Sequence, residues 1–261
     1  MKQDPWVTYC HDNRVGVITL NRAKANAYDL EFVTEFYQAL QQAEADNQVN
    51  AVIIRSGLER FFCAGADIKA FQANSTEDNQ RMVEQARANM ALMEASGKIY
   101  IAQIEGHTLG GGLEIAMSCD VRFAAAGSYY FGLPEIKLGL IPGNGGTQRL
   151  LRLVGATRAL ELLATGDSFS PEQAAQWGLV NQLCQPEQIS DDVVEYAKRI
   201  SRGPALAIAA TKRAIQGGVE LPLAQGLELE MQLVDELYDT YDAKEGFKAF
   251  VEKREAEFLG K

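Results

Sequence analysis

Two glutamates stand out by their surroundings. Glu114 closes the stretch GHTLGGGLE (Gly106–Glu114) and runs directly into Ile115, Ala116 and Met117, while Glu135 follows Pro134 in FGLPEIKLGLIPG. A carboxyl group set among apolar residues is partly desolvated, which raises its pKa and lets it hold a water and exchange protons with it. One such acid is more often a satisfied helix-end residue. Two, each beside a glycine-rich turn, point to acid–base catalysis.

The glycine turns suggest a partner for that chemistry. GHTLGGGLE follows a predicted strand and precedes a predicted helix, and free N–H groups at a helix start form an anion site. A phosphate loop would finish in Gly-Lys-Ser/Thr. Here Gly111-Gly112-Leu113-Glu114 breaks that rule, and no GxGxxG fingerprint can be read. A pair of donors for a developing oxyanion meets neither objection; a glycine hinge with close strand–helix packing is the plainer alternative. FFCAGADIK (Phe61–Lys69) also follows a strand. Its small Ala64-Gly65-Ala66 lets backbone approach a ligand, and Asp67 is placed to cap a helix. In IPGNGGTQR (Ile141–Arg149), Gly143, Gly145 and Gly146 expose N–H groups, one of which could hold a water, and Thr147 or Asn144 would cap the helix that follows. With two histidines in the chain, no Ser/His/Asp or Cys/His set is credible, and His107 is as readily a structural hydrogen-bonder as a functional group.

Positioning these groups takes alternating strands and helices. Trp6–Tyr9 and Val15–Leu20 read as a hairpin turning at Asp12-Asn13. Asp29–Glu44 carries Leu30, Phe32, Val33, Phe36 and Leu40 at helical spacing, with Asp29 and Glu31 in its first turn. AVIIRS (Ala51–Ser56) is a buried strand, Glu77–Ser96 a polar helix, and Ile99–Ile104 and Val121–Ala126 further strands. That alternation predicts an α/β fold with a helix-covered sheet. From Gly146 the chain turns mostly helical. Ser170-Pro171-Glu172-Gln173 marks a strong helix start, and four amphipathic helices follow at about 189–202, 204–216, 220–240 and 243–258. Phe247, Phe250 and Val251 recur at i, i+3, i+4, the spacing of a packing face. No Gly/Ser linker separates these helices. The expected organisation is a core at 1–195 carrying the active site, with a helical region at 196–261 that is not an independent domain.

Composition narrows the class. The chain has 261 residues, 47% hydrophobic and 23% charged, the balance of a soluble globular protein. Its net charge of −10 lacks the basic surplus of a nucleic-acid binder. Cys10, Cys63, Cys119 and Cys184 form no CxxC or Cys/His cluster, so no metal site is expected, and they read as small buried residues of a reducing compartment. No apolar run of membrane-spanning length or signal-peptide pattern is present. A cytoplasmic location is the expectation, without membrane partners.

FCAGADIK, IEGHTLGGGLEIAMSCD and FGLPEIKLGLIPGNGGTQRL, in that order, resemble the crotonase superfamily, and within it enoyl-CoA hydratase. NRAKANAYD, TGDSFSPEQAAQWGLVNQL and EGFKAFVEKR extend the likeness over nearly the whole chain. The resemblance implies a spiral of ββα turns, C-terminal helices that assemble trimers, often paired as hexamers, and acyl-CoA thioester substrates with no further cofactor. It assigns the two thioester-oxygen donors to the N–H groups of Ala66 and Gly111, the two acids to Glu114 and Glu135, and a water-holding N–H to Gly143. CoA contacts are expected at Ala25, Ala64, Asp67, Ile68 and Lys69, completed by Phe250 and Lys253, which a neighbouring subunit can supply. The implied reaction is reversible syn hydration of a 2-trans-enoyl-CoA; a 3,2-enoyl-CoA isomerase or a non-catalytic acyl-CoA-binding subunit are the alternatives. Three departures stand out. Asn144 occupies a position where alanine is usual, Ala23 replaces a frequent proline, and the segment between the acids is one residue longer, within Ala124–Gly132. Asn144 and the longer segment bear on the shape of the acyl pocket.

Overall fold

The computed structural model describes residues 4–261. Its chain order is β1 (Val7–Asp12), β2 (Val15–Leu20), α1 (Leu30–Ala45), β3 (Ala51–Ser56), β4 (Phe61–Cys63), α2 (Ile68–Ala73), α3 (Thr76–Ala95), β5 (Ile99–Ile104), β6 (His107–Leu109), α4 (Gly111–Ser118), β7 (Val121–Ala125) and β8 (Phe131–Gly132). A 3-10 turn at Pro134–Leu138 follows, then α5 (Gly146–Val154), α6 (Ala156–Thr165), α7 (Pro171–Gln176), β9 (Gln182–Cys184), α8 (Ile189–Ser201), α9 (Ala205–Gly218), α10 (Leu223–Asp235) and α11 (Tyr241–Glu252). Among the described residues no helix is long and apolar enough to cross a membrane.

The strands form two sheets. One has the order β1-β2-β3-β5-β7-β9, the other β4-β6-β8. Each pass of the chain gives one strand to the large sheet, the next to the small sheet, then crosses over to start again. This is the expected ββα spiral. Apart from one further antiparallel bridge between Phe131 and Phe169, among the strand pairs of the described residues β1–β2 alone is antiparallel. Its turn lies at Asn13-Arg14, both at positive φ, one residue beyond the position expected from sequence. Two-residue hairpins need left-handed backbone at both central positions to match strand twist, so β1 runs on through Asp12.

Both faces of the large sheet are covered, which explains why β3 reads as an unbroken apolar run. Ile18, Leu20, Val52, Ile54 and Tyr100 face Phe32, Phe36 and Leu40 of α1 and Met82, Met90 and Met93 of α3. Ala51, Ile53, Ile101 and Phe123 face the other way, against Ile189, Val193 and Ala197 of α8. Helix starts follow local chemistry. Asp29 is the N-cap of α1 rather than part of its first turn, accepting from Phe32 N–H, and Ser75 caps α3. Ser170 and Gln173 form a reciprocal capping box on α7.

Two sequence expectations change. Phe247, Phe250 and Val251 do not pack within the chain; they join Leu223, Leu227 and Met231 as exposed apolar residues of α10 and α11. Cys10 is exposed, while Cys63, Cys119 and Cys184 are buried as expected.

Candidate active site

The site grows from the small sheet. Its three parallel strands end, in spatial order, at Cys63, Leu109 and Gly132; Ala64–Asp67 and Gly110–Glu114 follow the first two directly, and Leu133 leads from the third into the turn Pro134–Leu138. Ligands in parallel α/β sheets bind outside the carboxyl ends of strands, where successive loops diverge. Three stretches distant in sequence are thereby brought to one edge. Tyr28 adds a fourth, pairing as a one-residue bridge with Ala66.

Small residues at this edge answer to measured crowding. A Cβ on Gly112 would lie 2.1 Å from the Cys63 carbonyl oxygen, so only glycine lets α4 start this close to β4. Gly65 has φ +84°, and a Cβ there would sit 2.9 Å from the Gly111 nitrogen. The loop carrying Ala66 thus lies directly against the start of α4. Among the described residues, neither Ala66 N–H nor Gly111 N–H meets an acceptor. Both donors expected from sequence therefore stand without a partner, and the glycines of GHTLGGGLE allow the close strand–helix packing of the hinge reading.

Glu114 is almost wholly buried, at 1% exposure. Its Oε1 accepts from Asn144 N–H at 2.8 Å and Gly146 N–H at 2.7 Å, and its Oε2 from the Asn144 side-chain amide at 3.0 Å. Burial raises its pKa, opposed by these three donors and by Arg149. The N-cap of α5 is Gly145, without a side-chain cap, so neither Thr147 nor Asn144 caps that helix. The N–H of its first residue, Gly146, and that of Asn144 just before the cap are spent on Glu114 instead.

Glu135 is placed by the 3-10 turn, with Oε1 about as close to Gly110 as a side chain there would permit: 3.0 Å from a hypothetical Cβ. Its Oε2 is buried with no partner among the described residues. Burial pushes its pKa up to about 7, opposed by its own N–H and assisted by the neighbouring Glu114. The two acids therefore differ: Glu114 is held by three donors, whereas Glu135 is poised to carry a proton near neutrality.

A cavity of about 230 Å³ joins these groups. Ala64, Ala66, Ile68, Gly111, Glu114, Glu135 and Gly143 line it, with Phe71, Met82, Val83, Leu138, Leu140 and Ile141 as an apolar wall. Larger hollows, of about 670 and 600 Å³, lie beside β1 and below β5 and gather no comparable set of groups. Of the remaining predicted residues, Ala25 backs the wall, its carbonyl accepting from Ala64 N–H. Asp67 caps α2 through Lys69 and Ala70 N–H, and Lys69 is exposed on that helix. Phe250 and Lys253 lie exposed at the end of α11, away from the cavity lining. Tyr28 and the role of the Asn144 side chain were not foreseen. Nothing in ANAYD marks its tyrosine as a site residue, and Asn144 offered only its departure from alanine.

The family model described as Enoyl-CoA hydratase/isomerase matches residues 11–261. A mitochondrial enoyl-CoA hydratase of Pongo abelii is 39% identical over 250 residues, covering 95% of this chain and 84% of the relative. A crotonyl-CoA hydratase of Syntrophomonas wolfei is 38% identical, covering 96% of both chains. The crystal structure of an enoyl-CoA hydratase from Bacillus anthracis superposes with a TM-score of 0.94 at 35% identity, covering 98% of this chain and 100% of that one. The chain has the crotonase fold and belongs to the enoyl-CoA hydratase/isomerase family.

Proposed function

We propose that the protein is an enoyl-CoA hydratase, a hydro-lyase that adds water reversibly and syn across a 2-trans-enoyl-CoA to give the 3-hydroxyacyl-CoA. The observation that carries this reading is the pair of dissimilar acids beside two unspent backbone donors. The thioester oxygen is received by Ala66 and Gly111 N–H. Water is held between Glu114 and Glu135, with Gly143 N–H, which has no acceptor among the described residues, as a third contact. Glu114 draws the proton from water as it attacks C3. Charge moves onto the thioester oxygen, where one such donor is worth roughly 3–4 kcal/mol of barrier. Glu135 then delivers its proton to C2. Retention of two acids favours hydration over the isomerase reading, which needs one.

No cofactor beyond the substrate's CoA enters these steps. Lys24, Lys69 and Lys253 supply local positive charge for the CoA phosphates on an acidic protein. The exposed apolar face of α10 and α11 supports assembly into a homotrimer or a dimer of trimers, with Phe250 and Lys253 serving a neighbour's site. Four free cysteines suit a reducing cytoplasm. The test is a spectrophotometric scan of 2-enoyl-CoA substrates of increasing chain length, with branched and aromatic members. Glu114→Gln and Glu135→Gln should each cut hydration by about 10²–10⁴-fold. Near-wild-type rates in either variant would reject the mechanism; turnover of 3-enoyl-CoA without hydration would favour the isomerase.

A further inference from the structure

Among the described residues Glu114 Oε2 has a single donor, the Asn144 side-chain amide. The other hydrogen of that amide goes to the Tyr28 hydroxyl oxygen at 3.1 Å. All three groups are buried, Tyr28 at 3%, Asn144 at 5% and Glu114 at 1% exposure. The amide orientation follows from chemistry: reversed, its oxygen would face the Glu114 carboxylate without a proton between them. The chosen orientation leaves Asn144 Oδ1 buried and unpartnered, a cost accepted for both donations. Tyr28 is itself fixed by backbone bonds to the proposed thioester-binding loop, its N–H to Gly65 and its carbonyl from Asp67. Its hydroxyl reaches across the start of α4, where a Cβ on Gly111 would lie 1.8 Å from it.

From this arrangement we infer that Asn144 is a positioning residue for Glu114, aimed in turn by the Tyr28 hydroxyl. The inference rests on Glu114 being the group that activates water. The two backbone donors to Oε1 hold one oxygen and leave the carboxylate plane free to swing; the Asn144 amide holds the second oxygen and fixes the plane. Tyr28 makes the aim depend on the loop that carries Ala66, so one side chain ties the thioester-oxygen donors to the base. A donated hydrogen bond also favours the ionised carboxylate. The other titratable and charged groups around Glu114 and Tyr28 are Glu135 from the 3-10 turn, the Cys63 thiol from β4, which neighbours Tyr28, and the Arg149–Glu94 pair from α5 and α3. None of these donates to Oε2.

Two variants test this, each with a kinetic and a direct readout. Asn144→Ala keeps both backbone donors. It should lower kcat about tenfold with little change in KM, the value of one charged hydrogen bond, and move the acid limb of the kcat/KM profile to higher pH. Tyr28→Phe keeps the ring and should shift both quantities in the same direction by less; the double variant should be no worse than Asn144→Ala alone, since both act through one amide. The direct readout is the infrared carboxyl titration of Glu114, identified by difference against Glu114→Gln, which needs no turnover. A raised Glu114 titration in Asn144→Ala or Tyr28→Phe supports the inference. An unshifted titration with wild-type kcat in a folded variant overturns it, and Tyr28→Phe alone decides if Asn144→Ala does not fold. Wild-type protein that hydrates no enoyl-CoA would reject the functional reading, while the titration would still report whether Asn144 sets the state of Glu114.

Discussion

Replacing Glu135 by glutamine should remove activity and increase stability, and the gain should depend on pH. The native carboxyl titrates near 7 because burial disfavours its charge. In the unfolded chain it titrates near the ordinary value of 4.5. Between these values the native state binds the proton that the unfolded state has released, so stability falls as pH rises from about 4.5 to 7 and stays lowered above. The gap of about 2.5 pH units corresponds to at most about 3.4 kcal/mol at 1.36 kcal/mol per unit. Glu135 is only half-buried, so water screens part of this, and about 1–2 kcal/mol is the expected share. Glutamine has the shape of the protonated acid and no charge to bury. Measured by thermal unfolding at one protein concentration, the Tm advantage of Glu135→Gln should be smallest at pH 4 and widen by roughly 2–8 °C by pH 8.5. A group kept for catalysis at the expense of folding gives this signature. A difference that stays constant with pH would refute the argument. A wild type that gains on the variant as pH rises would do so more sharply, since that sign requires a carboxylate held ionised by a partner.

Two further outcomes concern the frame around the site. Gly112→Ala would place its methyl 2.1 Å from the Cys63 carbonyl oxygen; backbone cannot yield cheaply there, so a loss of at least about 1–3 kcal/mol is expected in denaturant titration, with hydration falling as α4 moves. Lys212, buried on α9, donates to the Met93 and Lys98 carbonyls and to Asp120. Lys212→Met should cost about 3–5 kcal/mol by removing the ion-pair partner of buried Asp120, to which the Tyr100 N–H and the Arg122 charge remain; because Asp120 can then take up a proton more readily, the loss should shrink at low pH, and a pH-independent loss would point to packing alone.

What the sequence disclosed about this fold depended on length of signal. The strands β2, β3, β5 and β7 and the helices α1, α3, α8 and α9 are long enough for periodicity to speak, and their limits agree with expectation to within a few residues. The small sheet was invisible as a sheet. Its strands β4, β6 and β8 hold three, three and two residues, shorter than any alternation that could be recognised. Yet that sheet is what gathers the site. Its contents could still be read, because glycine runs and isolated acids mark the residues directly after each strand end, and three such marks in order made the family resemblance.

The contacts that set one acid apart from the other lay beyond that kind of reading. Glu114 meets Asn144 and Gly146 across 30 and 32 residues, and Asn144 meets Tyr28 across 116. In sequence, Asn144 and Thr147 looked like caps because a polar residue before a helix usually serves that helix. Here the helix start serves something else. N–H groups at and before that start turn toward the buried Glu114 carboxyl, and Asn144, freed from capping, reaches the same carboxyl with its side chain. A cap and a carboxyl-holding loop have the same composition; they are told apart only by what the fold brings opposite them. Glu135 has no such loop opposite it: its buried Oε2 finds no donor among the described residues, and burial pushes its pKa up to about 7.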